Sequence, residues 1–239
     1  MIILILSRGR VNSITSHKLF PSAKLVCIEE EERLYRNHGL ETVIIPKSVI
    51  GLGAIRNWCL DNFKDKTVVM VDDDIKHLAC IARENSFRIT DPDAILQIVE
   101  NTALCAEEAG TVFFGFNQAW DVRKYQGNRP FALVCWIGGV VGIIGRDFRF
   151  DENNKLKVDI DYSLQTLLKK RIIWTDNRFS FVQIRNNNTG GNVHLRSLDL
   201  YEKEIKYLKE KWGTYYSVKR TRTGEKIGIR VKRKQSILL

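Results

Sequence analysis

Residues 68–74 read Val68-Val69-Met70-Val71-Asp72-Asp73-Asp74, so an apolar run ends abruptly in three consecutive carboxylates. Four apolar residues in succession predict a strand that is buried on both faces, as strands are within a parallel sheet. The acids follow at the point where this strand would leave the core. The stretch therefore predicts a cluster of negative charge at the end of a buried strand.

The three acids predict a site for a divalent metal ion. Adjacent carboxylates repel one another, and hard cations such as Mg²⁺ or Mn²⁺ take carboxylate oxygens as ligands. The carboxyl end of a strand is also where open α/β sheets bind phosphorylated ligands. An acidic turn with solvated side chains is the alternative interpretation of the same residues.

Strand-like and helix-like segments alternate through the first half of the chain. Strands are predicted at 2–6, 24–28, 41–45 and 67–71, and helices at 29–38 and 54–63. This alternation predicts an α/β fold, a Rossmann-type, mostly parallel sheet flanked by helices. Further on we expect a helix at 91–109, strands within 111–116, 131–144, 172–174 and 179–184, and a stretch from 157 that turns helical near Asp161.

The C-terminal segment is basic. The net charge is +10, and residues 196–239 carry 13 Lys and Arg against 5 Asp and Glu, whereas the remainder carries 25 against 23. The pattern predicts an amphipathic helix at 197–211, with Ser197 as its cap, and a hairpin of 215–220 and 226–233 around Gly224. Concentrated positive charge is typical of polyanion binders, although a solvated basic tail is the alternative. The predicted DNA-binding residues are Lys219, Arg220, Arg222, Arg230, Lys232 and Arg233.

The cysteines and the hydropathy pattern predict a cytoplasmic location. Five cysteines are scattered without a CxxC pair, which is typical of free thiols in a reducing compartment. The apolar start, residues 1–6, is too short for the apolar region of a signal peptide. No apolar run reaches the about 20 residues of a membrane-spanning helix, so we expect no membrane partner.

Two polar segments near predicted strand and helix ends are candidates for phosphate binding. Ser7, Arg8, Gly9 and Arg10 follow the first strand, where glycine permits close backbone approach and guanidinium groups pair with phosphate. Arg56 and Asn57 lie just inside a helix N-terminus, which favours anions. Arg56 would hold a diphosphate and Asn57 a hydroxyl, while an ordinary surface salt bridge is the alternative for Arg56.

Later residues are candidates for acid–base chemistry and for acceptor binding. Asp159 and Asp161 precede a predicted helix. Asp159 is the first candidate for a general base and Asp161 the second, and Asp161 would alternatively cap that helix. His194 follows a glycine-rich loop and is a candidate metal ligand, since imidazole suits Mn²⁺. Gly138 and Gly139 allow a ligand to approach the backbone. Trp136 would stack on a sugar or base, or would simply belong to the core.

This ordered set of residues resembles the GT-A type of nucleotide-sugar glycosyltransferase. It is more closely similar to the TET-associated glycosyltransferases of bacteriophages, proposed to modify hydroxymethylated pyrimidines in DNA. The matching residues are Ser7-Arg8-Gly9-Arg10, Tyr35, Gly51 with Arg56-Asn57, Asp72-Asp73-Asp74-Ile75 and Asp159–Asp161-Tyr162. Many relatives have Glu-Asp before the late helix, whereas this chain has Val158.

The resemblance implies roles for the aspartates and a division of the chain. Asp72 would face the ribose or the metal, Asp73 would lie near the sugar, and Asp74 would ligate the metal, with His194 completing its shell. Residues 1–195 would form the glycosyltransferase domain, with 1–75 binding the nucleotide-sugar and 76–195 the acceptor. Residues 196–239 would be a basic extension.

The expected function is metal-dependent transfer of a sugar from a nucleotide-sugar, a UDP-sugar, to 5-hydroxymethylcytosine in double-stranded DNA. The expected cofactor is Mn²⁺ or Mg²⁺, and the location would be the host cytoplasm for a phage protein. Three alternatives remain: the same fold acting on a protein or glycan, a nucleotidyltransferase, and a non-catalytic DNA-binding module. The last would leave Asp72–Asp74 and the Arg-Asn pair without a purpose.

Overall fold

The computed structural model of the protein describes residues 1–37, 39–82, 85–119, 121, 125–184, 197–221 and 224–231. Its strands are β1 (Ile2–Leu6), β2 (Lys24–Ile28), β3 (Glu41–Ile45), β4 (Thr67–Asp72), β5 (Ile75–Ala82), β6 (Asn85–Ile89), β7 (Phe113–Phe116), β8 (Phe131–Ala132), β9 (Val140–Ile144), β10 (Trp174–Asp176), β11 (Phe179–Gln183), β12 (Tyr216–Thr221) and β13 (Gly224–Ile229). Its α-helices are α1 (Glu29–Arg36), α2 (Leu52–Asn62), α3 (Pro92–Glu108), α4 (Val158–Lys170) and α5 (Leu198–Trp212).

The central sheet has eight strands in the order β3-β2-β1-β4-β9-β7-β10-β8. The first four strands are parallel, β9 runs antiparallel to both β4 and β7, and β10 is parallel to β7. In β1 and β4, Leu6 pairs with Asp72, so both strands end at the same edge of the sheet. The predicted α/β fold with a mostly parallel sheet is confirmed.

The sheet is buried on both faces, and the side chains of its central strands alternate between two cores. Leu4, Val68 and Met70 belong to one apolar cluster, whereas Ile5 and Val69 belong to the other. Successive side chains of a strand point to opposite faces, which is why both faces need apolar residues here. This burial explains the continuous apolar run that precedes the three aspartates.

The C-terminal segment packs on the first of these cores. Leu208 of α5, Tyr216 of β12 and Val231 after the hairpin are buried in the cluster that contains Leu4 and Met70. The hairpin of β12 and β13 has the predicted antiparallel pairing. Ser197 caps α5 as predicted, since its hydroxyl accepts a hydrogen bond from the amide of Leu200 at 3.1 Å.

Two features differ from the sequence-based expectations. The chain does not continue straight beyond β4: it turns at Asp73 and Asp74 and enters β5, which pairs with β6 and β11 in a separate three-stranded sheet. Helix α4 begins at Val158, and its preceding residue Lys157 makes no side-chain capping bond. The prediction that Asp161 begins and caps this helix is therefore wrong, because Asp161 lies within its first turn.

Two further features concern the cysteines and the hydropathy of the helices. All five cysteines are free thiols. Across the parts of the chain that the structure describes, no helix is both long enough and apolar enough to cross a membrane.

Candidate active site

Residues predicted to bind the nucleotide-sugar meet at the edge of the sheet where β1 and β4 end. Ser7 follows β1 directly and is buried, and its hydroxyl oxygen lies 2.6 Å from the phenol oxygen of Tyr35. The same hydroxyl donates to Asp73 Oδ2 at 2.6 Å. Parallel pairing of β1 and β4 brings these residues together, although 66 positions separate Ser7 and Asp73 in sequence.

The three aspartates have three different environments. Asp73 is 4% exposed, and Arg10 Nη1 donates to its Oδ1 at 2.7 Å, so both of its oxygens are engaged within the protein. Asp74 accepts from the same Arg10 nitrogen at 3.2 Å. Asp72 accepts a hydrogen bond at Oδ2 from Gln183 Nε2 at 2.8 Å and keeps a partly exposed carboxylate. Asp73 is thus enclosed by Ser7 and Arg10, whereas the side chains of Asp72 and Asp74 keep exposed fractions of 30% and 14%. The predicted place of Asp73 near the sugar stays a prediction.

The loop after β1 presents Arg8 and Gly9 to solvent. Gly9 has a φ of 70°, a left-handed conformation that favours glycine, and its amide donates to Glu31 Oε1 at 2.8 Å. Arg10 turns inward to Asp73 and Asp74. Of the predicted phosphate ligands in this loop, Arg8 is therefore the accessible cation.

Arg56 is a buried cation that joins two parts of the site. Its side chain is 1% exposed, it forms a hydrogen-bonded ion pair with Asp159, and Nη2 lies 3.7 Å from Asp72 Oδ1. The guanidinium also lies over the ring of Phe150, 5.2 Å from its centroid. Burial rules out the alternative of an ordinary surface salt bridge, because the Arg56 side chain pairs with Asp159 inside the protein. The predicted contact of Arg56 with a diphosphate stays a prediction.

Asn57 holds the loop that leads to α4. Its Oδ1 accepts from the amide of Phe150 at 2.9 Å, and its Nδ2 donates to the carbonyl of Phe150 at 3.0 Å and to Glu152 Oε1 at 2.8 Å. Both amide hydrogens are thereby used. These contacts give Asn57 a structural part in the site, and its predicted contact with a hydroxyl stays a prediction.

The two candidate general bases are distinguished by burial. Asp159 is 24% exposed and lies at the start of α4, beside Gly138. Asp161 is fully buried, accepts from Trp212 Nε1 at 2.8 Å and pairs with Lys211 Nζ at 2.9 Å. Burial raises the pKa of Asp161. Of the two, Asp159 is the carboxylate that an acceptor hydroxyl can reach.

Gly138 and Gly139 lie between the carboxylates of Asp159 and Asp72. A Cβ at Gly138 would lie 3.2 Å from Asp159 Oδ2, and one at Gly139 would lie 3.2 Å from Gln183 Nε2. The carbonyl of Gly139 accepts from the amide of Asp72 at 2.8 Å. The glycines therefore let Asp159 and Gln183 approach the backbone beside Asp72. Trp136, two residues earlier, is half-buried and packs on the core.

Gln183 is a site residue that the sequence did not reveal. It ends β11, 111 positions after Asp72, at a register shift in the pairing with β5. A strand-end glutamine has no distinctive pattern in a single sequence. A bulge re-aims a side chain at such positions, and here the amide is aimed at Asp72.

The charges of the site fit a divalent cation. Burial raises the pKa of Asp72, Arg56 opposes this rise, and the negative charges of Asp159, Asp74 and Asp73 add to it. A cation would relieve this repulsion, and carboxylate oxygens are suitable ligands for Mg²⁺ or Mn²⁺. Among the described residues, no group of three His, Cys, Asp or Glu side chains is arranged to hold a metal ion by itself. The predicted third ligand, His194, lies outside those residues.

The predicted DNA-binding residues are only partly described. Lys219 and Arg230 are exposed, and Arg220 pairs with Glu225 in the hairpin backbone register. Arg222, Lys232 and Arg233 lie outside the described residues. Lys219 stands directly opposite the exposed Lys226 across the hairpin.

Solved structures of glycosyltransferases share this fold. S. aureus TarS 1–349 in complex with UDP-GlcNAc is 12% identical with a TM-score of 0.52, and the match covers 88% of this chain and 66% of that one. Glucosyl-3-phosphoglycerate synthase from Mycobacterium tuberculosis, in complex with Mg²⁺ and UDP, is 11% identical with a TM-score of 0.51, and the match covers 96% and 86%. At these identities the likeness shows the fold alone, which is the GT-A fold.

Sequence comparison identifies the family. No curated protein matches the chain. The family described as TET-associated glycosyltransferase matches residues 1–192, which include Ser7, Asp72–Asp74 and Asp159. The protein therefore belongs to the TET-associated glycosyltransferase family.

Proposed function

We propose that the protein transfers a sugar from a UDP-sugar to the hydroxyl of 5-hydroxymethylcytosine in double-stranded DNA, with Mn²⁺ or Mg²⁺ as cofactor. The observation that carries the proposal is the convergence of Asp72, Asp74 and the Arg56–Asp159 pair at one sheet edge. A structure of similar fold, glucosyl-3-phosphoglycerate synthase from Mycobacterium tuberculosis, was solved with Mn²⁺, UDP-glucose and phosphoglyceric acid. That similarity supports a nucleotide-sugar donor in this chain.

Asp72 and Asp74 would hold the cation, with His194 as a further candidate. When bound, the cation neutralises the negative charge that accumulates on the leaving diphosphate. Asp73 and Ser7 contribute indirectly, because their mutual hydrogen bond and the Arg10 ion pair fix the turn that carries both ligands. Gln183 orients Asp72 through its hydrogen bond to Oδ2.

Asp159 would act as the general base in the transfer. Its partly exposed carboxylate would accept the proton of the acceptor hydroxyl as that oxygen bonds to the anomeric carbon and the bond to the diphosphate breaks. Arg56 holds this carboxylate from its buried side and fixes its direction. Gly138 leaves room for the acceptor beside Asp159, since a side chain there would contact the carboxylate.

The C-terminal hairpin would bind the phosphate backbone of the DNA. Like charges directly opposite one another destabilise a strand pair, so exposed Lys219 and Lys226 indicate a surface that a polyanion would stabilise. Arg230 adds a further exposed cation next to β13. Binding through such contacts would weaken steeply as salt is raised. The free cysteines support a cytoplasmic location for this reaction.

Release of UDP tests the proposal. Three duplexes that differ only at one base, carrying 5-hydroxymethylcytosine, 5-methylcytosine or cytosine, are incubated with the protein, Mn²⁺ and each of a panel of UDP-sugars. We expect one donor to give rapid UDP release with the hydroxymethylated duplex alone, and Asp159→Asn to abolish that increment. Equal release with all three duplexes would rule out the base hydroxyl as the acceptor.

A further inference from the structure

Helix α5, which lies beyond the residues that match the family, supplies one cation to two carboxylates beside the site. Lys211 forms ion pairs with Asp151 and with Asp161, and its Nζ lies 2.9 Å from Asp161 Oδ1. Trp212 Nε1 donates to the same Asp161 oxygen at 2.8 Å, and Tyr207 donates to Asp151 Oδ2 at 2.5 Å. A buried carboxylate needs such partners, because an uncompensated buried charge is strongly unfavourable.

The first connection leads from α5 to the candidate base. Asp161 is fully buried in the first turn of α4, two residues after Asp159. The ion pair of Asp161 with Lys211 and its hydrogen bond from Trp212 therefore fix the first turn of α4. Because Asp159 belongs to the same turn, its carboxylate direction depends on contacts made by α5.

The second connection leads from α5 to the cation that pairs with that base. Asp151, held by Lys211, follows Phe150, whose backbone amide and carbonyl both bond the Asn57 side chain. The Phe150 ring lies beneath the Arg56 guanidinium. A Cβ at Gly53, in the first turn of α2, would lie only 3.0 Å from the Asp151 carbonyl, so this loop and α2 are in close contact. Lys211 therefore forms ion pairs on both sides of the Arg56–Asp159 pair. Asp151 follows Phe150, which contacts Arg56, and Asp161 lies in the same helical turn as Asp159.

Helix α5 also contacts the segment between Asp151 and Asp161. Glu204 of α5 is buried, and its carboxylate accepts the backbone amides of Lys155 at 2.7 Å and Leu156 at 3.4 Å. Residues 151–161 are therefore tied to α5 at both ends and in the middle.

We propose that Lys211, assisted by Trp212, is a positioning residue for sugar transfer, which fixes the Arg56–Asp159 pair through Asp161 and Asp151. The inference rests on the proposed function, because it takes Asp159 as the group that accepts the acceptor proton. It gives the basic C-terminal segment a second task besides DNA binding. It also places a determinant of the reaction outside residues 1–192.

The test compares four variants by kinetics. Lys211→Met removes the shared cation, Trp212→Phe removes one hydrogen bond and keeps a ring, and Lys211→Arg keeps the charge. Lys206→Met is the matched control, since the Lys206 side chain is 79% exposed on the same helix. Rates are divided by the number of UDP-binding sites measured by titration, which corrects for any unfolded fraction. We expect Lys211→Met to lower kcat per site by about tenfold to a hundredfold with KM for the donor nearly unchanged.

The remaining variants complete the expected pattern. Trp212→Phe lowers kcat in the same direction, Lys211→Arg retains most of it, and Lys206→Met matches the unaltered protein. A wild-type kcat per site in Lys211→Met would overturn the proposal. A smaller number of UDP-binding sites, with full activity at each remaining site, would also overturn the proposal. That result is expected if Lys211 only stabilises the fold.

Hydrogen exchange tests the same inference without turnover. In Lys211→Met we expect faster amide exchange both in residues 150–161 and in the first turn of α2, and no change in Lys206→Met. Faster exchange confined to α5 would overturn the positioning role. If the unaltered protein turns over no UDP-sugar, the proposed function fails, and exchange alone decides whether α5 fixes the Arg56–Asp159 pair.

Discussion

Asp72, Asp73 and Asp74 are adjacent in sequence, yet their carboxylates meet different partners in the folded chain. Asp73 is enclosed by Ser7 and Arg10, while Asp72 meets Gln183 and the buried Arg56. A turn between β4 and β5 causes the divergence, because side chains in a turn do not keep the alternation of a strand. Substitutions at the three positions should therefore fail in different ways.

Asp73→Asn should destabilise the protein. The variant keeps the shape of the side chain but removes the charge that faces Arg10, whose side chain is 12% exposed. We expect the free energy of unfolding in urea to fall by about 2 kcal/mol, since Arg10 retains Asp74 as a partner. An unchanged unfolding midpoint would contradict the assignment of Asp73 to the fold.

Asp74→Ala should abolish turnover and leave the fold intact. The substitution removes a proposed ligand of the cation, whereas the Arg10–Asp73 pair remains. We expect kcat/KM to fall by at least about a hundredfold, with the circular dichroism spectrum and unfolding midpoint close to those of the unaltered protein. Asp199→Ala, at a side chain that is 75% exposed, is the control. Full activity in Asp74→Ala would remove the argument for the metal site.

The sequence predicted which residues gather at the site better than it predicted their individual tasks. The run 68–74 and the loop after β1 meet as expected, because adjacent parallel strands end at one edge. Gln183 was missed, since its approach to Asp72 depends on a pairing between distant strands. Asp159 was the first candidate for the base and Asp161 the second, and the contact of Asp161 with Trp212 of α5 could not be predicted from the sequence.

At the scale of elements, the C-terminal hairpin is both a basic surface and part of the core. Lys219 and Lys226 are exposed, but Val231 and Tyr216 are buried against the central sheet. Deleting residues 219–239 would therefore remove core packing together with the charges. Charge substitutions on the exposed face separate the two effects.

Substituting Lys219→Gln and Lys226→Gln together should weaken DNA binding and spare UDP binding. Each lysine that neutralises a phosphate releases counterions, so the slope of log K against log salt should become shallower by about two. Fluorescence anisotropy of a labelled duplex at several salt concentrations measures this slope, and titration with UDP provides the control. A parallel loss of affinity for DNA and UDP would instead indicate that the hairpin supports the fold.

The sequence predicted those strands and helices that local hydrophobic pattern and capping residues determine. The four apolar strands of the first half and the capped helix α5 are confirmed. Strands β5 and β6 were missed, because they form an antiparallel sheet with β11, almost 100 residues later, and β6 is exposed. The early start of α4 was also missed, since no side-chain cap marks it.

At the scale of the molecule, the basic segment and the catalytic fold share one core. Leu208 and Val231 pack in the cluster that includes Met70 of β4. The expected division at residue 195 stays a prediction for function, but the packing joins the two segments physically. Charge in the sequence indicated a separate extension, because composition does not reveal which of its residues are buried.

Intact-mass spectrometry of the DNA tests the central claim most directly. A duplex that carries 5-hydroxymethylcytosine is incubated with the protein, Mn²⁺ and each of a panel of UDP-sugars. We predict a gain of one sugar mass with one donor, its loss on addition of EDTA, and no gain on a duplex with cytosine. The absence of any mass gain, while UDP binding is still measurable, would contradict transfer to this base, and a gain that persists in EDTA would contradict the metal.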